Sequence, residues 1–252
     1  MNALAIRIAT LPDVDLGRVL YDLHDLSDAD IVRVMYAKHR EQTGSTDELA
    51  LHMQRIAGIS AVYRDDDTIK VWSLGDTTSS EQDLIRHFFA GIEKYTPVLV
   101  TWNGSRFDLP VIQYRALKHG IVSRTYWDSG SHEESFREAN YHGRFHSRHV
   151  DLMDTLSGHQ HPGLASLDEI SLMLNLPAVP SDAANYDIDI VRHTCESEVL
   201  NIWQIYLNWL HLTTELDDAG LARERQVLHE SLLQENQSHL AAYLKAWNES
   251  SS

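Results

Sequence analysis

The chain has 252 residues, a formal net charge of −16 at pH 7 and one cysteine. This length predicts one large domain, or one domain with a helical extension. The single cysteine excludes an intramolecular disulfide framework, and no apolar run reaches the roughly 20 residues that span a bilayer. The N-terminus lacks the basic start and apolar stretch of a secretory signal, so we expect a cytoplasmic protein without a membrane partner.

The first half of the chain alternates between predicted strands and predicted helices. Strands are indicated by alternating or continuous apolar residues, and helices by apolar positions every three to four residues after a capping residue. The predicted ranges are a strand over 3–9, a helix over 27–40, strands over 56–63 and 68–74, a helix over 80–95, a strand over 97–102 and a helix over 109–119.

The second half is dominated by predicted helices. Residues 120–147 form a long polar, aromatic-rich stretch with weak periodicity, and regular structure resumes at about Asp151. The predicted ranges that follow are a capped helix from Ser166, a loop over 176–186, a long helix over 186–212 and a helical region over 218–247. The predicted elements begin with strands, continue with alternating strands and helices, and end with helices. This order favours an α/β sheet flanked by helices over an all-α bundle.

Charge is distributed unevenly along the chain. Residues 101–150 carry seven Lys or Arg and five Asp or Glu, together with several histidines and aromatic residues. Basic groups mixed with aromatic rings suit phosphate contact and base stacking. A solvated loop with a few packed aromatic rings is the alternative that composition leaves open.

Three sequence segments, in chain order, contain the residues that indicate a function. They read IRIATLPDVD over residues 6–15, WNGSRFDLP over 102–110 and HTCESEVLN over 193–201. Together they resemble the three exonuclease motifs of DnaQ-like 3′–5′ exonucleases, in the branch related to the exonuclease domain of B-family DNA polymerases. The resemblance extends over roughly residues 4–210 and implies a ribonuclease H-like mixed sheet. We therefore expect an exonuclease-like domain over 1–212 and a C-terminal helical extension over 213–252.

The resemblance also implies a metal site that this sequence only half provides. Enzymes of this kind hold two divalent ions about 4 Å apart with four carboxylates. Asp108 and Glu198 match two of these carboxylates, whereas Arg7 and Ala9 stand where the first motif has its Asp and Glu. His193 lies five residues before Glu198, a spacing used by some superfamily members, and this is either a rescue or a coincidence.

Arg7 changes the electrostatics of such a site. A dication close to a guanidinium meets like-charge repulsion of several kcal/mol, as an order of magnitude, and arginine does not lose its proton. Our hypothesis is that Arg7 replaces the metal by pairing with Asp108 or Glu198. Arg7 could instead contact a phosphate directly, or bend into solvent and leave the site empty.

These features predict a degenerate 3′–5′ exonuclease-like protein that binds single-stranded nucleic acid or 3′ ends and has lost or nearly lost hydrolysis. No cofactor is expected. The residues predicted to contact nucleic acid are Asn103, Arg106, Phe107, Arg115, Arg144 and Arg148.

Two alternatives remain open. One is an active exonuclease that uses Mg²⁺ or Mn²⁺ at a rebuilt site of Asp108, Glu198 and His193, with Asp151 or Asp154 as further ligands. The other is a scaffold whose protein partner binds through the C-terminal helices. Cys195 is expected to face the helix core rather than to act as a catalytic thiol.

Overall fold

A computed structural model describes residues 1–44, 48–66, 68–143, 146–160, 164–179 and 187–250. Within these ranges, five strands form one mixed sheet in the order β3-β2-β1-β4-β5. β1 and β2 are antiparallel, as are β2 and β3, whereas β4 runs parallel to β1 and β5 parallel to β4. The strands are β1 (Ala3–Pro12), β2 (Gln54–Arg64), β3 (Ile69–Ser73), β4 (Val98–Thr101) and β5 (His149–Asp151).

The helices surround this sheet and confirm the predicted α/β architecture. Their bounds are α1 (Val14–Leu20), α2 (Asp28–Thr43), α3 (Glu81–Tyr95), α4 (Asp108–His119), α5 (Leu152–Leu156), α6 (Leu167–Met173), α7 (Ile188–Leu212), α8 (Asp218–Gln234) and α9 (Ser238–Ser250). Ser27, Ser80 and Ser166 cap α2, α3 and α6, so local capping signals set these helix starts. The predicted helical region over 218–247 divides into α8 and α9. Most of the predicted loop over 176–186 lies outside the described residues.

The alternation of β1 sorts its side chains onto two cores, as the sequence predicts. Leu4, Ile6 and Ile8 join a core formed with α3 and α4. Ala3 and Ala5 face a second core formed with α7. The small side chains on this second face let α7 approach the sheet closely, and Arg7 follows on the same face because side chains alternate along a strand.

The C-terminal helices pack onto the α7 side of the sheet. Leu228 and Leu232 of α8 and Leu240 and Tyr243 of α9 are buried in the core shared with α7. Glu224 of α8 accepts hydrogen bonds from Arg64 of β2 at 2.8 Å and 3.0 Å. The predicted domain boundary after residue 212 stays a prediction.

Arg115 belongs to a structural network, and its predicted contact with nucleic acid is wrong. Arg115 is 2% exposed and donates hydrogen bonds to Asp13 and to both carboxylate oxygens of Glu81. Asp13 caps α1 and Glu81 begins α3, so the guanidinium of α4 joins three helices. Helix α1 is too short to show periodicity, so neither this helix nor the role of Asp13 is predicted from the sequence.

Arg148 and most neighbouring aromatic residues also serve packing. Arg148 donates to the Ala139 carbonyl oxygen at 2.7 Å, and its guanidinium lies 4.3 Å from the centre of the Phe136 ring. Phe136, Tyr126 and Tyr141 are buried, so they cannot stack on bases. The alternative of packed aromatic rings therefore describes this stretch better, and Arg148 holds its own loop rather than a phosphate. Within the described ranges, no helix combines the length and apolarity that crossing a membrane requires.

We predict that Asp13→Asn destabilises the protein in a pH-dependent way. Burial alone would raise the pKa of Asp13, but hydrogen bonds from Arg115 and Lys118 lower it to about 2, from an ordinary value of 3.8. A lowered pKa stabilises the fold above the ordinary value, and the effect is lost as the pH falls through the folded value. The wild-type advantage in the free energy of unfolding should be about 2 kcal/mol at pH 6 and shrink below pH 4.

Urea denaturation at several pH values measures this advantage. Asp15→Asn, an exposed position on the same helix, is the control and should change the free energy of unfolding by less than about 0.5 kcal/mol at pH 6. A wild-type advantage over Asp13→Asn that is constant from pH 6 to pH 3 would contradict the assignment.

We also predict that Glu224→Gln loosens the C-terminal helices. Arg64 and Glu224 are 7% and 11% exposed, so losing one partner leaves a buried charge at a cost of about 3 kcal/mol. Glu249→Gln removes the exposed pair with Lys245 on α9 and should cost less than about 0.5 kcal/mol. Tryptophan fluorescence in urea compares the two variants, and equal effects would show that the Arg64 pair does not hold α8.

Candidate functional site

The candidate site forms where β1 continues beyond the end of β4. Pairing of β1 with β4 stops at Ala5 and Val100, so the next backbone groups of β1 need other partners. Asp108, the first residue of α4, supplies one, because its Oδ1 accepts a hydrogen bond from the Ile8 N–H at 2.9 Å. The second motif is thereby fixed to the first motif through a fully buried carboxylate.

Arg7 lies between the two carboxylates that the sequence singled out. Its Nε donates to Glu198 Oε2 at 2.8 Å, and its Nη1 lies 3.6 Å from Asp108 Oδ2. The Cys195 thiol donates to the Arg7 carbonyl oxygen at 3.1 Å. The pairing that we hypothesised for Arg7 is present with both carboxylates, and the alternative in which Arg7 bends into solvent is wrong.

Burial and charge shift the protonation of these groups in a consistent way. Burial raises the pKa of Asp108 to about 6, against the opposing effect of Arg7. Burial alone would lower the pKa of Arg7, but Asp108 and Glu198 hold it above its ordinary value. Burial also raises the pKa of Cys195 to about 12, so the thiol is protonated and acts as a hydrogen-bond donor at neutral pH.

The residues present do not fit a two-metal centre. Ala9 offers no ligand atom on the face that it shares with Arg7, and the guanidinium already binds Glu198 and faces Asp108. A dication at this place would have to displace a fixed positive charge. In the part of the chain that the structure describes, no group of three or more His, Cys, Asp or Glu side chains could hold a metal ion.

The further acidic ligands considered from the sequence are engaged elsewhere. Asp151 accepts hydrogen bonds from the backbone N–H groups of Asn103 and Ser105, each at 2.9 Å. Asp154 accepts from Arg106 at 2.7 Å and lies 2.7 Å from a ring nitrogen of His159. Asp151 therefore shapes the turn before α4, where Asn103 has a left-handed φ of 62°.

His193 does not join the carboxylates, so its predicted place in a rebuilt site is wrong. Its ring stacks on His239 of α9, with the ring centres 3.9 Å apart. Five residues along a helix turn through about 140° beyond one full turn, so His193 and Glu198 point in different directions. Cys195 and Glu198, three residues apart, share the face that contacts Arg7. The spacing of His193 was a coincidence.

The predicted nucleic-acid contacts are separated by the fold. Arg106 is half-buried beside the site, and the exposed part of its side chain amounts to 29%. Phe107 precedes α4 and lies at the edge of the core with α3 and α4, and Asn103 is half-buried. Arg144 lies outside the described residues.

A cleft of about 940 Å³ opens next to the second motif. Its described walls include Arg106, Asp151 and Asp154 but not Arg7, Asp108 or Glu198. This open space therefore lies beside the carboxylate pair rather than over it. Arg106 is the predicted contact that faces this space.

Comparison with known proteins identifies DNA polymerases that are similar to parts of this chain. The chain is 54% identical over 43 residues to DNA polymerase 1 of Sulfurisphaera ohwakuensis, which is 17% of this chain and 5% of the polymerase. It is 26% identical over 144 residues to the catalytic polypeptide of DNA polymerase epsilon from Dictyostelium discoideum, which is 52% of this chain and 6% of that polypeptide. The matches thus span only about a twentieth of each polymerase.

A family model described as a predicted 3′–5′ exonuclease related to the exonuclease domain of PolB matches residues 46–247. The match begins after β1, so it does not bear on Arg7 and Ala9. It includes the second and third motifs, as well as α8 and most of α9. The five-stranded mixed sheet with flanking helices is accordingly a ribonuclease H-like exonuclease fold, and the chain belongs to this family of predicted 3′–5′ exonucleases related to the exonuclease domain of PolB.

Proposed function

We propose that this protein is a nucleic-acid-binding member of the family in which metal-dependent hydrolysis is lost or strongly reduced. The observation that carries the proposal is the position of Arg7, whose Nε lies 2.8 Å from Glu198 and whose Nη1 lies 3.6 Å from Asp108. The guanidinium supplies the positive charge that the two carboxylates require, so no metal is needed to hold them together.

A guanidinium does not replace the chemistry of a metal pair. Two divalent ions generate a hydroxide nucleophile from bound water and stabilise the leaving oxygen. Arginine stays protonated, so it neither accepts a proton from water nor offers an open coordination position. The site therefore keeps its shape and charge balance while it loses the means to cleave a phosphodiester bond.

Binding of nucleic acid is supported by ancestry and by two cations. Arg7 is 24% exposed and Arg106 29% exposed, and both adjoin the second motif. A guanidinium with remaining N–H groups recognises phosphate oxygens in a planar, paired geometry. We expect single-stranded nucleic acid or a 3′ end as the partner, in the cytoplasm. A protein partner at the C-terminal helices stays the alternative.

We predict that restoring the carboxylates restores hydrolysis. Arg7→Asp combined with Ala9→Glu removes the cation and supplies two metal ligands beside Asp108 and Glu198. The assay follows trimming of a 3′-labelled single strand with Mg²⁺ or Mn²⁺. The wild-type protein should show no trimming above background. The trimming rate of the double variant should exceed that background by at least about tenfold. Adding Asp108→Ala to the double variant should remove the gain.

A second measurement detects metal binding directly, in case the double variant folds and binds metal but does not cleave the chosen oligonucleotide. Metal binding to the folded state should raise the thermal midpoint of the double variant and not that of the wild-type protein. Wild-type trimming that Asp108→Ala abolishes would overturn the proposal and establish a working exonuclease.

We predict that the wild-type protein binds a single-stranded oligonucleotide with an affinity that falls as salt rises. Arg106→Gln should weaken this binding about fivefold and reduce the salt dependence by about one ion. Arg137→Gln removes an arginine that is 66% exposed on the same stretch and should have little effect. Filter binding at several salt concentrations measures both. Failure to bind at low salt would favour the protein scaffold.

A further inference from the structure

A second polar groove lies among the C-terminal helices, apart from the Arg7 site. Residues 174–176 after α6, one face of α8 and the end of α9 enclose a volume of about 590 Å³. The polar groups at its walls include Arg225, Gln226 and His229 of α8 and Asn175 after α6. No Asp or Glu is among the described residues that line it, although the chain has 37 acidic and only 21 basic side chains.

Arg225 in this groove is a half-buried cation that has no acidic partner among the described residues. Its Nη2 donates to the Asn208 side-chain oxygen at 3.1 Å, while its Nε is buried and hydrogen-bonds to no described residue. Within the described ranges it forms no ion pair. Burial lowers the pKa of Arg225, and no carboxylate opposes that effect. Leaving a charged group in this state is costly unless something pairs with it.

The other arginines with restricted exposure show what is missing. Arg7, Arg64, Arg106 and Arg115 each form an ion pair with a carboxylate. Arg192 instead lies within hydrogen-bond distance of four successive backbone carbonyl oxygens, from Ser73 to Asp76. Arg148 donates to one carbonyl oxygen, that of Ala139, and its guanidinium also lies over the Phe136 ring. Arg225 has one neutral amide oxygen.

The surrounding groups suit an oxyanion with several acceptor oxygens. His229 lies one turn after Arg225 on α8, and one of its ring nitrogens is 3.1 Å from the Asn248 side-chain oxygen. Asn175 carries an amide donor at the same walls. The Gln226 amide nitrogen donates one N–H to Glu230 Oε1 at 2.7 Å and has a second N–H. A guanidinium forms paired N–H bonds to two oxygens of a phosphate, and amides and an imidazole can donate to the others.

We propose that this groove is a phosphate-binding site in which Arg225 is the anchoring residue and His229, Gln226 and Asn175 complete the donor set. The phosphate can belong to a free monoester, such as a nucleoside monophosphate, or to the backbone of a strand. The proposal does not rest on the function proposed for the Arg7 site, because none of its residues contacts Arg7, Asp108 or Glu198 in the described structure.

The experiment measures binding by calorimetry at constant ionic strength. The probes are inorganic phosphate, a nucleoside monophosphate and a single-stranded oligonucleotide. Each is titrated into wild-type protein, Arg225→Gln and Arg223→Gln. Arg223 is exposed on the same helix, so its substitution removes the same charge without touching the groove.

We expect wild-type protein to bind phosphate or the monophosphate with a dissociation constant below about 1 mM. Arg225→Gln should weaken this at least tenfold, and Arg223→Gln should stay within twofold of wild type. An effect of Arg225→Gln on the monophosphate alone identifies a free monoester as the source, whereas an effect on the oligonucleotide identifies the strand.

Thermal midpoints provide the second measurement. Phosphate should raise the midpoint of wild-type protein and Arg223→Gln but not that of Arg225→Gln. Arg225→Lys keeps the charge without the planar donors, so it should fold and bind phosphate more weakly. Equal binding by wild type and both Arg225 variants, or no binding by wild type, would overturn the proposal.

Discussion

The pairing of Arg7 with Glu198 and Asp108 is the interaction on which the rest of the site depends. Two carboxylates brought together in a partly desolvated place repel one another unless a cation lies between them. A metal-dependent exonuclease would use dications for this purpose. Here the cation is part of β1 itself, so the charge balance is built into the chain. The same guanidinium connects β1 with α4 and α7. It thereby holds the first, second and third motifs of the chain together.

The groups around this pairing maintain its geometry without adding chemistry. The Cys195 thiol and the Ile8 N–H fix the backbone on both sides of the Arg7 side chain. Asp151 holds the turn that leads into Asp108. The shape of this site therefore depends on backbone hydrogen bonds and on charge balance. The proposed retention of nucleic-acid binding follows the same logic.

Buried arginines connect elements of the fold that are distant in sequence. Arg115 joins three helices at one end of the sheet, and Arg64 attaches α8 to the sheet. Each of these buried guanidinium groups is matched by carboxylates, which is the condition under which such a charge is tolerated away from water. Arg225 departs from this rule in a groove lined with neutral donors, which is why it points to an anion from outside the chain.

The sequence by itself determined the order of strands and helices, the serine caps and the family, because these depend on local periodicity, capping and ordered motifs. The sequence also indicated that Arg7 would pair with Asp108 or Glu198, because carboxylates that share one site require a balancing positive charge. Only the tertiary structure decided that Arg115 and Arg148 are structural and that His193 faces α9. The burial of a side chain depends on which distant element covers it, and a residue's direction on a helix depends on how that helix packs, so neither can be read from spacing alone.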